Sequence, residues 1–542
     1  MAAVVHHFAA VLVASPAGRR SPRTLALSFP SVAHSFPSAS SRALPPSLSS
    51  SAPSGPSHAR CGRPFLRHSF SRSSRQAQQG PEEVKKGNES QRKRLVVIGG
   101  GAAGFMGAIE AARAGRESGL EVSVIEATSN PLNKVKISGG GRCNVMQDAR
   151  KPPSIIAEGY PRGRKPLLGM LNKFGPTETY EWFTSRGVRL KTEGDGRMFP
   201  ITDKSQTIID CLVGAAEECG VKVVTKTRVE DVELVQADDM APNAKFEIEC
   251  VSPRAKGMPP TVLRCDYLLV ATGSYRPAFE WAQRMGHRIE SPVPSLFTFE
   301  TKEEENAAEL AGISVQDADL KLIIDDNVID TTEKKKKKNK KLQDRGPVLF
   351  THTGLSGPAI LRLSAFGARE LHGSKYSGSL IVNWLAGIGV RNSEEARRML
   401  EDAKKTHAAK LVTTFSPLGL PKRLWRSMLR HCNISEEKTW AQLSKKEIIK
   451  FSEELTSQKI RITGKGAFKD EFVTCGGVSL KDVDTKTLQS KKVPGLFFAG
   501  EILNIDGITG GYNFQSAWST GWHAGSSIGA LAGSRGQSEA RI

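Results

Sequence analysis

Apolar residues along this chain are grouped in a way that predicts alternating strands and helices. Residues 95–98 and 122–125 are short apolar runs, and between them small residues recur at helical spacing, at Ala108, Ala112 and Gly115. Short apolar runs of this kind are typical of strands buried in a parallel sheet with a helix packed on it. The pattern predicts a strand-helix-strand unit that begins near residue 94.

Three glycines follow the first of these strands in the spacing G-x-G-x-x-G. They are Gly99, Gly101 and Gly104, and Glu126 follows Gly104 by 22 residues, at the end of the second strand. Such glycines permit a tight turn, a close approach of backbone N–H groups to a pyrophosphate, and close packing of helix on strand. The acid binds ribose hydroxyls. The spacing therefore predicts a dinucleotide site at a helix N-terminus, where the helix dipole favours negative charge.

The rest of the chain carries further strand and helix patterns. After a glycine-rich loop at 137–144, the spacing predicts helices at 165–174, 177–186 and 205–219, and strands at 222–229, 230–235, 245–251, 261–264 and 267–270. Short strands near 296–301, 320–325, 348–351 and 379–383 precede an amphipathic helical block at 393–455. Strands at 460–463, 471–474 and 496–498 and a helix of small residues close the pattern.

This order predicts an α/β fold in which a Rossmann-like domain is interrupted by an inserted domain with a β-barrel-like part and a helical part. The dinucleotide-binding domain comprises 91–290 together with 458–535, and the inserted domain comprises 291–457. Three segments are expected to lie outside the folded core: a transit peptide and disordered linker at 1–90, a disordered Lys-rich loop at 331–345, and a tail at 536–542.

The first eighty residues differ in composition from the remainder. They contain nine arginines and no Asp, Glu or Lys, and they are rich in serine and proline. This composition is typical of an organelle transit peptide, with a plain disordered tail as the alternative. Because the start Met-Ala-Ala is uncharged, we expect import into the plastid (chloroplast), with the mitochondrion as the alternative. No basic residue precedes the apolar run 8–14, which disfavours a secretory signal, and no apolar run predicts a membrane span.

The formal net charge of +21 is concentrated in two places. The first eighty residues contribute nine of these charges, and 331–341 contribute a net six from seven Lys and one Glu. The Lys run has no interleaved aromatic residues, so a solvated loop is favoured over a nucleic-acid patch. The expected partner is a small-molecule substrate, a nucleic-acid partner is not favoured, and the oligomeric state stays open.

Three further segments favour FAD over NAD as the bound dinucleotide. Residues 271–273 (ATG), 495–501 (GLFFAGE) and 510–515 (GGYNFQ) resemble the flavin-binding segments of two-dinucleotide-binding-domain flavoproteins. In those proteins the acid after the AG pair faces the ribityl hydroxyls, and the last helix directs its N-terminus at the pyrophosphate or the flavin. Glu501 and the backbone of 511–513 match these positions. Val229 matches the position whose backbone contacts the adenine.

Four motifs together resemble the BaiN-like family of bacterial FAD-dependent oxidoreductases, in a plant-type, organellar version. They are ISGGGRCN, GRMFPITDKS, FTHTGLSGPAILRLS and VPGLFFAGEILNIDGITGGYNFQSAWSTG, and the resemblance covers about 94–533. The resemblance implies an FAD domain with an inserted domain that covers the isoalloxazine, and an NAD(P)H/FAD-dependent oxidoreductase activity. Some bacterial relatives are linked to reduction of conjugated enones in steroid-like substrates.

Several positions depart from the family pattern near the flavin or the inserted domain. Met146 and Gln147 replace a usual Thr-Asn, Asn504 replaces a usual Asp, 274–277 is shorter than in bacterial members, and the Lys-rich loop is extra. The substrate is therefore not carried over from the family, whereas the FAD site is. The eight cysteines include no C-x-x-C pair and no zinc-like spacing. Reduced thiols and no metal site are expected, which disfavours a flavin disulfide reductase.

The predicted cofactor-binding set combines the dinucleotide motif with the positions that match the family. It comprises Gly99, Gly101, Ala102, Ala103, Gly104, Glu126, Lys134, Ser138, Gly139, Gly140, Gly141, Arg142, Cys143, Asn144, Val229, Ala271, Thr272, Gly273, Gly500, Glu501, Gly511, Tyr512 and Asn513.

No residue is assigned as the catalyst, but three are candidates. Arg142 can stabilise negative charge on reduced flavin or hold a substrate carbonyl, or it can anchor its loop through a salt bridge. His352 is a candidate proton donor or a structural histidine of its turn, and Tyr512 is a candidate donor or a ring-packing residue. Cys143 is more simply a packed small residue than a reactive thiol.

These observations predict an FAD-dependent oxidoreductase. It transfers a hydride from NAD(P)H or another donor to a small electrophilic substrate such as an enone or a carbonyl compound. A flavin-containing RNA-binding or tRNA-modifying protein is the alternative, and a non-enzymatic flavin scaffold is a third.

Overall fold

The computed structural model describes residues 92–235, 245–252, 259–301, 307–325, 342–466 and 473–534. These residues belong to one compact unit, Gly87–Ile542. The predicted transit peptide and linker, the Lys run at 331–341 and the tail at 536–542 lie outside the described residues.

The strands, in chain order, are β1 (Arg94–Ile98), β2 (Glu121–Ile125), β3 (Met146–Gln147), β4 (Leu190–Thr192), β5 (Arg197–Pro200), β6 (Lys222–Val224), β7 (Arg228–Leu234), β8 (Phe246–Val251), β9 (Thr261–Cys265), β10 (Tyr267–Val270), β11 (Ile289–Ser295), β12 (Phe299–Thr301), β13 (Ser314–Ile324), β14 (Gln343–Phe350), β15 (Gly354–Ser356), β16 (Gly378–Asn383), β17 (Gln458–Lys465), β18 (Val473–Val478) and β19 (Leu496–Phe498).

The α-helices are α1 (Ala102–Ala114), α2 (Asn133–Gly141), α3 (Pro153–Ala157), α4 (Arg164–Leu171), α5 (Pro176–Thr184), α6 (Gln206–Glu218), α7 (Arg276–Arg284), α8 (Ala307–Leu310), α9 (Pro358–Phe366), α10 (Ala368–Gly373), α11 (Ser393–Thr406), α12 (Lys422–His431), α13 (Lys445–Ser457) and α14 (Tyr512–Ser534).

A parallel sheet in the order β19-β10-β1-β2-β6 forms the centre of the Rossmann-like domain. Most residues of these strands are apolar and buried, and α1 packs against β1, β2 and β10. The predicted strand-helix-strand unit is confirmed, and β19 completes the sheet beside β10 although more than 200 residues separate them in the chain. The helices α1 and α14 approach closely through small residues: a Cβ on Gly525 would lie 2.3 Å from the Gly107 carbonyl oxygen.

Two small antiparallel sheets flank the central sheet, in the orders β7-β8-β9 and β3-β5-β4. A two-stranded ribbon of β11 and β18 joins the Rossmann-like domain to the inserted domain. The predicted strand at 222–229 is divided in the structure, because β6 ends at Val224 and β7 begins at Arg228.

The inserted domain contains a closed antiparallel barrel in the order β12-β15-β14-β13-β16-β17. The barrel-like part predicted from the sequence is therefore confirmed. Two boundaries are corrected. Strand β17 pairs with β12 and β16, so 458–465 belong to the barrel and not to the FAD-binding domain. Residues 343–345, predicted as part of a disordered loop, pair with β13 because they begin β14.

The helical part of the inserted domain consists of α11, α12 and α13. Side chains of Asn392 and Ser444 accept backbone hydrogen bonds at the starts of α11 and α13, as expected of helix N-caps. The Trp425 ring packs against Phe451 with ring centroids 4.8 Å apart, which joins α12 to α13. Among the helices of the described residues, none is both long and apolar enough to cross a membrane.

Candidate FAD site and active site

The three motif glycines lie at the junction of β1 and α1 and differ in the space around them. Gly99 has a φ of +106°, and a Cβ there would lie 2.5 Å from the Ala271 carbonyl oxygen. A Cβ on Gly104 would lie 2.0 Å from the Gly99 carbonyl oxygen. A Cβ on Gly101 would meet no atom within 4 Å. Glycine is therefore required by the fold at Gly99 and Gly104, whereas at Gly101 the protein leaves open space.

That open space lies at the N-terminus of α1. Gly101 is the N-cap, no side chain caps the helix, and no acid lies in the first turn. Backbone N–H groups at such a terminus lack intrahelical partners and attract anions. The turn can therefore hold a pyrophosphate.

Glu126 directly follows β2 and lies beside this turn. Its carboxylate accepts hydrogen bonds from the backbone N–H of Gly100 and Thr128, both at 2.8 Å, and from the Thr128 hydroxyl at 2.7 Å. The Thr227 N–H donates to the Glu126 carbonyl oxygen at 3.0 Å, which brings the start of β7 and buried Val229 to the same edge. These contacts fix the acid where ribose hydroxyls are bound in this motif.

A second glycine segment, the cradle loop (138–144), lies at the end of α2. Ser138, Gly139 and Gly140 have non-helical backbone angles, as the glycine content predicts. Gly140 and Gly141 have φ values of +69° and +84°, and a Cβ on either would meet no atom within 4 Å. The cradle loop thus presents glycine backbone to open space, which suits a planar ring held by main-chain groups.

The cradle loop contacts the turn before α14. With its amide oriented to satisfy both partners, Asn144 accepts from the Gly511 N–H at 2.9 Å and donates to the Met146 carbonyl oxygen at 3.2 Å. The Gln147 side chain donates to the Gly510 carbonyl oxygen at 3.2 Å. Two segments more than 360 residues apart in the chain are therefore joined at one site. The Asn513 side chain, in contrast, accepts a hydrogen bond from the Gly507 N–H and donates one to the Gly507 carbonyl oxygen, so it stabilises the turn before α14.

Glu501 lies in contact with two other predicted cofactor residues, Lys134 and Gly273, which come from different segments of the chain. The Lys134 Nζ donates to Glu501 Oε2 at 2.5 Å, and the Thr474 N–H donates to Oε1 at 2.8 Å. A Cβ on Gly273 would lie 3.4 Å from the same carboxylate. Gly500, beside Glu501, has a φ of +76° and packs on Ala103 of α1. The carboxylate is thus fixed at the carboxyl end of the sheet, where it can accept ribityl hydroxyls.

The residues present fit an FAD molecule. The Thr272 hydroxyl is buried and has no hydrogen-bond partner among the described residues, beside the Gly99 turn. Buried polar atoms are rarely unpaired in a folded protein, so this hydroxyl indicates a missing ligand partner. The uncapped α1 terminus, Glu126 and Glu501 would hold the pyrophosphate, ribose and ribityl groups in that order.

The structure gives Arg142 the anchoring role. Its guanidinium donates to Glu193 at 2.7 Å, lies 3.5 Å from Asp203, and stacks over Phe199 at 4.1 Å from the ring centroid. The Glu193 hydrogen bond raises the pKa of Arg142. None of these contacts supports the catalytic role that the sequence left open.

Cys143 and His352 are placed differently from each other. Cys143 is fully buried, and burial raises its pKa to about 12, so it is a packed thiol rather than a nucleophile. His352 is exposed on the turn between β14 and β15, and no described hydrogen bond joins it to the cradle loop. The seven described cysteines are free thiols.

Tyr512, at the start of α14, is the candidate whose geometry best suits proton donation. Its ring is buried against Gly159, where a Cβ would lie 2.3 Å from the ring, and against Tyr160 at 5.7 Å between centroids. Its hydroxyl hydrogen-bonds to no residue that the structure describes. Burial raises the pKa of Tyr512 and the Arg362 guanidinium lowers it less, so the phenol stays protonated at neutral pH.

The sequence did not identify a buried ion pair beside this site. The Arg162 guanidinium donates to both carboxylate oxygens of Asp506, one at 2.6 Å, and to the Ala365 carbonyl oxygen of α9 at 2.6 Å. Ser295 donates to Asp506 at 2.9 Å. The pair thus ties the loop before α4, the turn before α14 and the inserted domain together. No local spacing could reveal it, because the partners are 344 residues apart.

Comparison with known proteins identifies the family. The HI0933-like protein Rossmann domain matches residues 93–527 of this chain. The chain belongs to the HI0933-like family. Membership makes this HI0933-like protein an FAD-dependent oxidoreductase and implies FAD as its cofactor.

Three curated relatives of this HI0933-like protein match over nearly their whole length. The 3-dehydro-bile acid delta(4,6)-reductase of Clostridium scindens is 27% identical over 443 residues, which cover 80% of this chain and 98% of the relative. The ribosomal RNA dihydrouridine synthase of Escherichia coli is 27% identical over 438 residues, covering 79% and 96%. That of Haemophilus influenzae is 26% identical over 448 residues, covering 81% and 99%.

Proposed function

We propose that this protein is an FAD-dependent reductase that saturates a carbon–carbon double bond conjugated with a carbonyl group, with NAD(P)H as the electron donor. The names of the relatives support a common reaction type. A 3-keto steroid with 4,6 double bonds is a conjugated dienone, and dihydrouridine is the product of saturating the C5–C6 bond of uracil, which is conjugated with the C4 carbonyl. In both reactions a conjugated double bond gains a hydride and a proton; the hydride adds to the carbon β to the carbonyl group in uracil and in a 4-en-3-one, and to the δ carbon across a dienone.

Tyr512 is the observation that carries this proposal. When bound, FAD supplies the hydride through its N5 atom. The protein must then provide a proton close to that face. Tyr512 is a protonated phenol beside the cradle loop, and its hydroxyl has no hydrogen-bond acceptor among the described residues. The nearby Arg362 lowers the cost of the phenolate that remains after donation. Solvent can reprotonate the Tyr512 phenolate between turnovers.

The remaining residues position this donor. Tyr160 donates a hydrogen bond to the Tyr512 carbonyl oxygen at 2.6 Å, and Gly159 leaves room for the Tyr512 ring. The Arg162–Asp506 pair holds the adjacent turn against the inserted domain. Because the sequence has a single G-x-G-x-x-G motif, we expect NAD(P)H and the substrate to occupy the same face of the flavin in turn.

The test is stopped-flow measurement of the two half-reactions. NADH or NADPH should bleach the flavin, and a conjugated enone or a uracil-containing RNA should restore its absorbance. In Tyr512→Phe, reoxidation by the substrate should slow about 10²–10⁴-fold, because a positioned proton donor contributes that much, whereas bleaching by NAD(P)H should not change.

The control is Tyr180→Phe, which removes a phenol from α5, and it should leave both half-reactions unchanged. If neither nucleotide bleaches the flavin, the NAD(P)H part of the proposal is wrong. If Tyr512→Phe reoxidises at the wild-type rate, the role of Tyr512 is wrong.

A second candidate function is reduction of uracil in RNA rather than of a small enone. Two of the relatives act on ribosomal RNA by name, which the charge distribution in the sequence did not indicate. The acceptors that restore flavin absorbance distinguish the two substrates.

A further inference from the structure

The helical part of the inserted domain has a basic face that the reduction chemistry does not use. Helix α12 contains four Lys and Arg residues and no Asp or Glu. The basic face is defined by the exposed side chains of Lys422, Arg423, Arg426 and Arg430. At 3.6 residues per turn these four lie within about 100° of the helix circumference. Four apolar residues, Leu424, Trp425, Met428 and Leu429, are buried on the opposite side.

Most of the charge on this face is not neutralised by carboxylates of the described residues. Lys422 and Arg426 make no ion pair with any residue that the structure describes. Arg423 donates to the carbonyl oxygens of Glu309 and Ala311, which orients the guanidinium without cancelling its charge. Arg430, in contrast, is paired with Glu309 and Glu436. Within the described residues, three cations on one side of the helix are therefore left without an ion pair.

We propose that the basic face of α12 binds the phosphate backbone of an RNA substrate. The inference rests on the proposed reduction reaction, with uracil in RNA as the substrate. The cations extend over about 12 Å from Lys422 to Arg430, which suits consecutive phosphates of a polyanion better than one small anion.

The arrangement of apolar residues on α12 indicates that its partner is RNA and not a lipid surface. A helix that binds a membrane inserts its apolar side into the lipid, with aromatic and Leu residues outward. In α12 the corresponding residues, Trp425 and Leu429, are fully buried in the protein core. Only the charged side is available to a partner.

The position of α12 connects the basic face to the proposed active site. Leu424 and Ser427 of α12 line a small cavity with Phe350 and Leu355, which lie on β14 and β15. These strands pack against α9. The Ala365 carbonyl oxygen of α9 accepts a hydrogen bond from Arg162, which also pairs with Asp506 in the turn before Tyr512. An RNA bound along α12 therefore contacts the inserted domain, which this ion pair joins to the turn before Tyr512.

The test compares RNA binding by wild-type holoenzyme and the variant K422Q/R426Q in the absence of NAD(P)H. The probe is an in vitro transcribed, unmodified large-subunit ribosomal RNA, with vesicles of phosphatidylserine and phosphatidylcholine as the second probe. The matched control, R398Q/K405Q, removes two exposed charges of α11 that are paired with Glu394 and Asp402. Bound flavin and the melting temperature report whether each variant is folded.

Each phosphate contact adds about 0.7–0.9 to the steepness with which the logarithm of RNA affinity falls against the logarithm of salt concentration. K422Q/R426Q loses two such contacts. Between 50 and 200 mM salt, its RNA affinity should therefore fall by a factor about 7- to 12-fold smaller than the factor for wild type. R398Q/K405Q should behave like wild type. Equal RNA affinity and salt dependence in K422Q/R426Q and wild type would overturn the inference. So would vesicle binding that is lost in K422Q/R426Q while RNA binding is unchanged.

The binding assay is independent of the proposed reaction. If RNA binds through α12 but no nucleotide bleaches the flavin, the proposed reduction fails while the assignment of this face stands. If the flavin is bleached and restored by a small enone while K422Q/R426Q binds RNA like wild type, the assignment fails and the reduction stands.

Discussion

Replacement of Gly101 by alanine separates the cofactor role of the glycine turn from its structural role. The methyl group of Gly101→Ala meets no protein atom within 4 Å, and the backbone there is in an extended conformation that alanine adopts. The apoprotein should therefore keep its stability within about 1 kcal/mol, since a Gly-to-Ala change at a compatible position mainly alters the unfolded chain. The methyl group does, however, occupy the space from which a pyrophosphate reaches the N–H groups of α1.

The loss of FAD affinity in Gly101→Ala can be estimated from the hydrogen bonds between the α1 N–H groups and the pyrophosphate that the methyl group would prevent. Hydrogen bonds to a charged group contribute about 1.5–3 kcal/mol each, so loss of two costs about 3–6 kcal/mol. At 1.4 kcal/mol per tenfold, the dissociation constant should rise about 10²- to 10⁴-fold. The assay is titration of apoprotein with FAD by flavin fluorescence, together with urea unfolding of the apoprotein.

Two further glycine substitutions complete this experiment. Gly214→Ala adds a methyl to open space on α6, so it should leave FAD affinity unchanged. Gly104→Ala places a methyl 2.0 Å from the Gly99 carbonyl oxygen and should destabilise the apoprotein by about 1–3 kcal/mol, as overpacking does. If Gly101→Ala binds FAD as tightly as wild type, the pyrophosphate does not approach the backbone at Gly101.

Three more outcomes are expected. Asp506→Asn leaves the buried Arg162 charge without its partner, and it should lower the free energy of unfolding by about 3–5 kcal/mol in urea, more than Asp210→Asn on exposed α6. The Arg288 hydrogen bond lowers the pKa of Asp482 in the folded protein. Ionised Asp482 therefore stabilises the folded protein at pH values above its unfolded pKa of about 3.9, and this stabilisation is lost as the pH falls through its folded pKa. Asp482→Asn should therefore be less stable at pH 7 and lose less stability between pH 5 and pH 2, and equal acid sensitivity would contradict this. Residues 1–90 fused to a fluorescent protein should direct it into the chloroplast of a plant cell, and a cytosolic signal would contradict the import prediction.

The parts of the fold that the sequence predicted are those set by local spacing. The glycine turn, β1, α1 and β2 follow from apolar runs and glycines within about thirty residues, where backbone sterics decide the conformation. The short strands in the sequence predicted a barrel, but they did not predict that β17 closes it. The place of β17 in the barrel depends on its pairing with β12 and β16 and not on its own sequence pattern. Register between distant strands depends on tertiary packing.

The same distinction applies to the site. Lys134, Gly273 and Glu501 were predicted separately and do meet, because each lies at a strand or helix end on the same edge of the sheet. The partners of Arg142, in contrast, come from a hairpin and a turn 51 and 61 residues away, and no spacing rule links them. The Arg162–Asp506 pair was missed for the same reason. Ion pairs between distant segments are a property of the packed structure.

The proposed reaction is the saturation, by the reduced flavin of this protein, of a double bond conjugated with a carbonyl group. The most direct measurement is an anaerobic single turnover in which holoenzyme, reduced by one equivalent of NAD(P)H, is mixed with a 4-en-3-one steroid or with uracil-containing RNA, followed by mass spectrometry of the acceptor. One acceptor should gain two hydrogen atoms at the rate at which flavin absorbance returns. Return of the absorbance only on admission of oxygen, with both acceptors unchanged in mass, would contradict it.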